Sequence, residues 1–224
     1  MKFKKLVLTV ACSAFLLGGI ITLVNNYLSP KTIEIHGLMP ELSEQELILN
    51  SDVIIEGTVV KVGEGKWSNP NMVSGKRNVL QSDITVNINE MISGEYNSDE
   101  VIVRVDKGYD KKSNIKVESD GYPDFSIGEH IVLFLSRDDS DLATNENYFV
   151  LTGMKQGKWS FAESNGVDSK IISKEVETSS ATQISITDLK KRIEEEKKNN
   201  PNWHLIRNEQ KEQTIKKNKE LFEE

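Results

Sequence analysis

The chain has 224 residues and a formal net charge of −7, from 28 basic and 35 acidic side chains. Three lysines at the amino end contribute +3 and residues 188–224 contribute +1, which leaves −11 for residues 6–187. A body this acidic is poorly suited to bind nucleic acid or anionic lipid, and such charge is typical of a well-solvated surface. The single cysteine, Cys12, excludes disulfides, thiolate metal clusters and cysteine hydrolase chemistry from the rest of the chain.

An uncharged segment, residues 6–24, follows the lysines at positions 2, 4 and 5. As a helix it would extend roughly 28 Å, at about 1.5 Å per residue, which is close to the hydrocarbon thickness of a bilayer. Lysines precede it and none follows until Lys31, so the amino end is expected on the inner side. The sequence therefore predicts a single-pass cell-membrane protein, held in the membrane through residues 6–24, with its carboxy-terminal domain extracytoplasmic.

Two other fates of this segment stay open. A signal peptide would be cleaved after a small-x-small pattern and the protein secreted, but the following residues NNYLSP contain no such pattern. The residues LTVAC, 8–12, loosely resemble a lipoprotein box, but only residues 6–11 separate Cys12 from the lysines, too few for an apolar core. The uncleaved anchor is therefore preferred over cleavage and over lipidation.

The composition divides the chain into four parts: a membrane anchor or signal segment (1–27), a juxtamembrane linker (28–41), a β-barrel domain (42–180) and a charged helical tail (181–224). The barrel domain begins with a short helix. Ser43 is followed three residues later by Glu46, which fits a capping box, and Leu42, Leu47 and Ile48 could share one apolar face. We expect a helix over 44–49.

From Val53 onward the apolar residues recur with the period of two that is typical of strands. The predicted strands are DVIIEGTVVKV, SDITVNINEMI, EVIVRVD, HIVLFLS, NYFVLTGM, GKWSFAE and the short VDSKIIS. Gly57 inside the first of them indicates a bulge or sharp bend. NYFVLTGM and GKWSFAE are close enough in sequence to be expected to pair with each other. Six or seven strands without long helices between them favour a compact antiparallel barrel or sandwich.

Two connections in this domain are long, 63–78 and 107–128, and long loops on a small barrel are where binding usually occurs. After the strands, SITDLKKRIEEEKKNN predicts a helix capped by Thr187, with Leu189 and Ile193 packing one narrow stripe on the barrel. Asn200-Pro201 is expected to end it. The remaining residues predict a second, heavily charged helical segment exposed to solvent.

Five stretches of this pattern also carry a resemblance. They are SDVIIEGTVVKV, VNINEMISGEY, FSIGEHIVLFL, YFVLTGMKQGKWSF and ITDLKKRI, within residues 42–193. The chain resembles a group of uncharacterised exported bacterial proteins with a small OB-like barrel, similar in architecture to the netrin-like domains of tissue inhibitors of metalloproteinases. The resemblance implies a mainly β fold, a small antiparallel OB-like barrel with an N-terminal transmembrane helix and C-terminal helical segments.

The resemblance implies no activity, because OB-like barrels perform many unrelated functions. Those inhibitors chelate the zinc of a protease with an amino-terminal cysteine. This chain has no cysteine outside its apolar amino-terminal segment, so that mechanism cannot be transferred to it.

No catalytic constellation is evident in the sequence. The histidines, His36, His130 and His204, have no metal-ligand neighbour at i+2 or i+4, so a zinc site is unsupported, and a strand-start role is expected for His130. No G-x-S-x-G elbow or phosphate-binding loop is present, and no cofactor is predicted. The sequence thus offers no catalytic residue.

Two acidic clusters could bind a hard cation, because calcium takes several carboxylate and carbonyl oxygens. The first, Asp106, Asp110, Asp120 and Asp124, lies on the second long connection, and the second is Asp138, Asp139 and Asp141. Asp is also common in turns, and solvated turns are the preferred interpretation of both clusters. Three aromatic residues on the long connections are candidate ligand-binding residues, although they could instead fold back over the barrel: Trp67, Tyr109 and Tyr122.

The leading functional hypothesis is a non-catalytic, membrane-tethered extracytoplasmic β-barrel that binds an envelope protein or polymer through its long loops. The alternatives are an envelope hydrolase that uses the carboxylates between Asp106 and Asp124, and a structural spacer whose charged tail contacts a partner.

Overall fold

The computed structural model of the protein describes residues 29–37, 40–161, 170–173, 183–203, 205–209 and 212–213. The apolar segment 6–24 lies outside the described residues. Within the described part of the chain, no helix is both long enough and apolar enough to span a bilayer.

The described elements follow one another from an outlying strand through the barrel strands to a carboxy-terminal helix. In chain order they are β1 (Lys31–Ile35), α1 (Glu44–Asn50), β2 (Val53–Val62), β3 (Lys66–Trp67), β4 (Leu80–Ser93), β5 (Glu100–Val105), β6 (Gly108–Asp110), β7 (Ile115–Ser119), β8 (His130–Ser136), β9 (Phe149–Leu151), a 3-10 helix (Met154–Gly157), β10 (Lys158–Phe161), β11 (Lys170–Ser173), β12 (Gln183–Ser185) and α2 (Ile186–Asn199). The predicted helix after residue 43 is confirmed, with the capping box between Ser43 and Glu46 formed as expected.

Five of the strands close into a barrel in the order β8-β2-β4-β5-β9, and β9 pairs with β8 to complete the circle. The β5–β9 pair is parallel, whereas the other four pairs are antiparallel. The predicted mainly β barrel is therefore confirmed, and its topology is compatible with an OB-like fold.

The barrel bends where the sequence places Gly57. The pairing of β2 with β4 shifts register between Glu56 and Gly57, as at a β-bulge. A Cβ at position 57 would lie 2.6 Å from the backbone oxygen of Asn87, so only glycine lets the two strands approach this closely.

Two hydrophobic cores lie on opposite faces of β2 and β8. The alternating residues of the strands fill the barrel interior: Val53, Ile55, Val59, Ile84, Val86, Val101, Val103, Val105, Ile131, Leu133, Leu135, Phe149 and Leu151. The second core lies outside the barrel, under α1 and α2: Leu47, Ile48, Ile54, Val132, Phe134, Trp159, Ile184, Leu189 and Ile193. Residues 131–135, IVLFL, are all apolar because they enter the two cores in alternation.

The α2 helix confirms the predicted stripe of Leu189 and Ile193, both fully buried against the second core. Its N-cap is Ser185 and not Thr187: the Ser185 hydroxyl accepts a hydrogen bond from the backbone N–H of Asp188 at 3.0 Å. The prediction of the cap was wrong because both residues can cap a helix, and the pairing of β12 with β11 fixes the earlier one at the junction. The helix ends before Asn200-Pro201, as expected.

The predicted pairing between NYFVLTGM and GKWSFAE is wrong. Both segments pair with the same edge of β8 instead, one after the other. β9 lies opposite Leu135 and Ser136, and β10 lies opposite residues 131–133. The 3-10 helix inserted between them interrupts what would otherwise be one continuous antiparallel strand. Gly153, at φ +66°, begins this insertion.

A small sheet of order β1-β7-β6 lies outside the barrel. The long connection 107–128 contributes the antiparallel pair of β6 and β7, and β1 adds to β7 in parallel. The sequence predicts a linker over residues 28–41, whereas Lys31–Ile35 within this range forms a strand. Its partner lies 84 positions away, with Ile115 opposite Lys31. Neighbouring sequence contains no signal for such a distant pairing.

Candidate functional site

A groove runs across the outer face of β4 and β5, between two loops of the barrel. The first loop, residues 63–79, joins β2 to β4 and includes β3. The second loop, residues 137–148, joins β8 to β9. Together with side chains of the strands they enclose a volume of about 790 Å³. We refer to this depression as the loop groove.

An ion pair ties the two loops together. The guanidinium of Arg77, in the first loop, donates from Nε to Asp141 of the second loop at 2.8 Å and from a terminal nitrogen to the other carboxylate oxygen. Hydrogen bonding from Arg77 holds the pKa of Asp141 below its ordinary value. The geometry is bidentate, which fixes the orientation of the two loops as well as their separation.

The first loop is also held from within by a buried amide. The side chain of Asn69 donates to the carbonyls of Val73 and Lys76, both at 3.0 Å, and accepts from the backbone N–H of Val73 at 2.9 Å. These bonds replace the regular ladder that a loop lacks and give the groove wall a defined shape.

Arg104 lies at the floor of the groove, on the outward face of β5. It donates to both oxygens of Asp83, at 2.7 and 3.0 Å, and to Glu146 at 2.7 Å. The guanidinium stacks over the ring of Tyr148, 3.9 Å from its centroid. Arg104 lowers the pKa of the Glu146 carboxyl, and hydrogen bonding to Asp83 raises the pKa of Arg104 itself. The second loop is thus docked on β4 and β5 through one arginine.

Trp67 provides an aromatic surface at the side of the groove. It lies on β3, is partly exposed, and its indole Nε1–H donates to Asp110 at 3.0 Å. This bond reaches across to the β6–β7 hairpin and sets the orientation of the ring. Hydrogen bonds from Ser113 and then Trp67 lower the pKa of Asp110, so the carboxylate that holds the indole stays ionised at neutral pH.

The groove lining carries a small surplus of positive charge, five cationic side chains against four carboxylates, although the chain as a whole is acidic. The carboxylates that line it are paired: Asp141 with Arg77, Asp83 and Glu146 with Arg104, and Glu64 with Lys111 at 2.6 Å. Three lysines also line it, Lys61, Lys66 and Lys76. Among the residues that the structure describes, none of these three ammonium groups has a carboxylate oxygen within ion-pair distance.

Only one of the three predicted aromatic residues lines the loop groove. Tyr109 bonds Asn114 of its own hairpin at 2.8 Å, and its backbone carbonyl accepts from Gly65 at 2.9 Å, so it supports the first loop from behind. Tyr122 packs against the barrel core, and its hydroxyl donates to Asp106 at 3.3 Å. Burial raises the pKa of Tyr122. Tyr122 therefore lies folded back against the barrel, outside the loop groove.

The four aspartates of the first predicted acidic cluster accept hydrogen bonds from different residues, and no partner is shared between two of them. Asp106 accepts hydrogen bonds from Gln81 and Tyr122, and Asp110 accepts one from Trp67. Asp120 accepts hydrogen bonds from His36 and from the backbone N–H of Gly37, and Asp124 accepts one from Lys107. The structure does not bring them to one point. Across the described residues, no group of three or more acidic, histidine or cysteine side chains has a metal-binding arrangement. Their separate hydrogen bonds therefore give no support to a cation site shared by all four.

The histidines within the described residues make contacts of the ordinary structural kind. His130 begins β8, contacts Glu56 at 2.7 Å and stacks on Phe161, 4.1 Å between ring centroids. This agrees with the strand-start role predicted for it. His36 contacts Asp120 at 3.2 Å, and His204 lies outside the described residues.

The sequence did not single out the charged groove residues Arg77 and Arg104 or the three groove lysines. One signal was present: Arg104 occupies the outward position of EVIVRVD, where the strand period leaves a charged side chain among valines. Its partners Asp83 and Glu146 lie 21 and 42 positions away, so sequence alone could not show that they meet it.

No protein-family model matches this chain, and no curated protein matches it in sequence. The closed five-stranded barrel and the loop groove are therefore the two observations from which its function can be inferred.

Proposed function

We propose that the protein is a non-catalytic binding module, held at the extracytoplasmic side of the cell membrane through residues 6–24, and that the loop groove holds its ligand. The membrane placement is inferred from the apolar amino-terminal segment and its flanking lysines. The binding role is inferred from the groove, which lies on the face and between the loops that OB-type barrels use to bind extended ligands.

The observation that carries this proposal is the surplus of positive charge beside an aromatic surface. Lys61, Lys66 and Lys76 are left over after every groove carboxylate has a cation partner among the described residues. Trp67 and the exposed side chain of Ile102 add apolar surface to the same groove. Such a surface favours a ligand that presents anionic groups together with flat apolar patches.

The charge of the whole chain limits how dense those anionic groups can be. A net charge of −7 repels long polyanions, whereas three lysines in one groove can bind a few separated anionic groups. A saccharide polymer of the envelope with spaced carboxylates or phosphates meets both conditions, because its sugar rings can also lie against Trp67. We therefore propose an acidic envelope polysaccharide as the ligand class.

The proposal is tested with purified full-length chain and soluble polymers in a titration calorimeter. The probes are hyaluronan oligosaccharides, whose carboxylates alternate with neutral sugars, together with neutral dextran and single-stranded DNA. We expect binding of hyaluronan oligosaccharides that weakens with salt, and weaker binding of both other polymers.

A matched pair of variants locates the site. We expect Lys66→Gln/Lys76→Gln to weaken hyaluronan binding by about tenfold, equivalent to ~1.4 kcal/mol. Lys191→Gln/Lys198→Gln makes the same change of net charge on α2 and should leave the affinity unchanged. An equal loss of hyaluronan affinity in both double variants would count against the loop groove as the binding site. Equal affinity for dextran and hyaluronan would count against charge selectivity.

A further inference from the structure

The small sheet outside the barrel ends in an exposed strand. In the order β1-β7-β6, β1 is the outer strand, and all five of its residues are exposed. Ile33 and Ile35 are 38% and 45% exposed, which is high for isoleucines within a strand. Parallel pairs such as β1–β7 are usually covered on both faces, so an exposed parallel strand is an unusual arrangement.

The backbone groups of β1 that face outward can be identified from its hydrogen bonds. The N–H of Lys31 donates to Asn114 at 2.9 Å, and the carbonyl of Ile35 accepts from Asp120 at 3.3 Å. The odd-numbered residues of β1 therefore direct their backbone groups toward β7. In a parallel ladder the intervening residues point the opposite way. The N–H and C=O groups of Thr32 and Glu34 therefore lie on the outer edge of the sheet, which has no neighbouring strand among the described residues and which we call the free edge.

This edge has little protection against pairing with another strand. Proteins commonly protect edges with proline, lysine or bulges within the strand. Here Pro30 and Lys31 lie at one end only, and no register shift interrupts β1 along its pairing with β7.

We propose that β1 pairs antiparallel with β1 of a second copy of this chain, about a two-fold axis at Ile33. Hydrogen-bonded antiparallel pairs require both residues to present their backbone groups to the shared edge. Thr32 and Glu34 satisfy this condition when Thr32 of one copy lies opposite Glu34 of the other. The symmetry repeats the pair, so four backbone hydrogen bonds form and a continuous six-stranded sheet results.

The side chains of β1 suit this register. Ile33 of one copy lies opposite Ile33 of the other in a non-hydrogen-bonded pair, where side chains approach most closely. Lys31 lies opposite Ile35, so the four isoleucines form one apolar patch with a lysine stem at each end. On the other face each Glu34 lies opposite Thr32 and keeps its own His36, 3.5 Å away. The strand is therefore complementary to itself, which favours a second copy over an unrelated chain.

Disulfide trapping tests the register directly. In a Cys12→Ser background of the full-length chain, the Ile33→Cys variant places two cysteines about 4.5 Å apart between Cα atoms, within disulfide range. The Thr32→Cys variant is the matched control, because Thr32 lies opposite Glu34 and its symmetry mate is two residues further along the strand. We expect mild oxidation to link Ile33→Cys into dimers and to leave Thr32→Cys monomeric.

A second variant tests whether backbone pairing holds the dimer. Thr32→Pro removes an N–H that faces the free edge, while the bonds to β7 use the odd-numbered residues, so the fold should be retained. We expect the otherwise unchanged chain to sediment as a dimer and Thr32→Pro as a monomer with the same circular dichroism spectrum. Equal cross-linking at positions 32 and 33, no cross-linking at either, or a dimer that survives Thr32→Pro would each overturn the proposal.

Discussion

Arg207 of the charged tail and Asp52, the residue directly before β2, form a bidentate ion pair at 2.7 and 3.2 Å. Asp52 also accepts the backbone N–H of Arg137 at 2.6 Å, so one carboxylate joins the tail, the start of β2 and the end of β8. Nearby, Lys197 of α2 lies over the ring of Trp203, and Leu205 and Ile206 are exposed. The sequence predicts a charged helical segment exposed to solvent. Within the described residues of this segment most side chains are exposed, but Arg207 joins it to the barrel.

The ion pair should contribute measurably to the position of the tail and modestly to stability. We expect Arg207→Gln to lower the free energy of unfolding by about 0.5–1 kcal/mol, because both side chains are partly exposed and screened by solvent. Urea unfolding measures the stability change, and limited proteolysis measures release of the tail. Arg192→Gln breaks a comparable exposed pair with Glu44 and should not expose the tail to protease. Equal cleavage of the two variants would show that Arg207 does not hold the tail.

Gly153 is required by the turn that leads from β9 into the 3-10 helix. Its φ is +66°, and a Cβ there would lie 2.7 Å from Leu42 Cδ1. We expect Gly153→Ala to cost about 1–3 kcal/mol in thermal or urea unfolding, from left-handed strain together with the clash. Gly75 has φ +78° with nothing near its Cβ position, so Gly75→Ala measures the strain alone and should cost less. Equal losses would mean that contact with Leu42 is relieved by a small movement.

The barrel could be predicted from the sequence because its signals are local. SDITVNINEMI places Ile84 and Val86 inside and Asn87 outside, and β4 has this burial pattern. The capping box of α1 and the bulge at Gly57 likewise depend on neighbouring residues or on a single backbone requirement. Burial with a period of two and the capping box of α1 are determined within a few residues, and those two predictions were confirmed, whereas the cap of α2 was misplaced by two residues.

The features that could not be predicted depend on distant pairings. β1 adds to a hairpin 84 positions later in the chain, and β9 and β10 share one edge of β8 only because a 3-10 helix separates them. The loop groove depends on Arg77 meeting Asp141 and on Arg104 meeting Glu146. No local pattern in one sequence distinguishes a charged side chain that is solvated from one that forms an ion pair with a loop 40 or more positions away.

The stability of the protein should fall even when Arg104 is replaced by another cationic residue. Arg104→Lys retains a cation but cannot bond both oxygens of Asp83 and also Glu146, so the second loop should loosen. We expect a loss of about 1–2 kcal/mol in urea unfolding, because the Arg104 side chain is nearly buried. Arg77→Lys, at an exposed arginine, should cost less than about 1 kcal/mol. A larger loss of stability in Arg77→Lys than in Arg104→Lys would show that Arg77 is the main anchor of the second loop.

The Arg77–Asp141 pair predicts a dependence of stability on pH. The folded-state pKa of Asp141 is lowered, chiefly by its hydrogen bond to Arg77, so folding favours the ionised carboxylate. This contribution is fully present above the ordinary carboxyl pKa of 3.8 and is lost as pH falls through the lower folded value. The difference in unfolding free energy between the unchanged chain and Asp141→Asn should therefore be constant above about pH 5 and approach zero near about pH 2. The constant value should be ~0.5 kcal/mol, because both side chains of the ion pair are exposed. Urea unfolding at each pH measures this difference, with Glu95→Gln as an exposed control outside the groove. A difference that grew as pH fell would show that Arg77 does not stabilise the ionised form of Asp141.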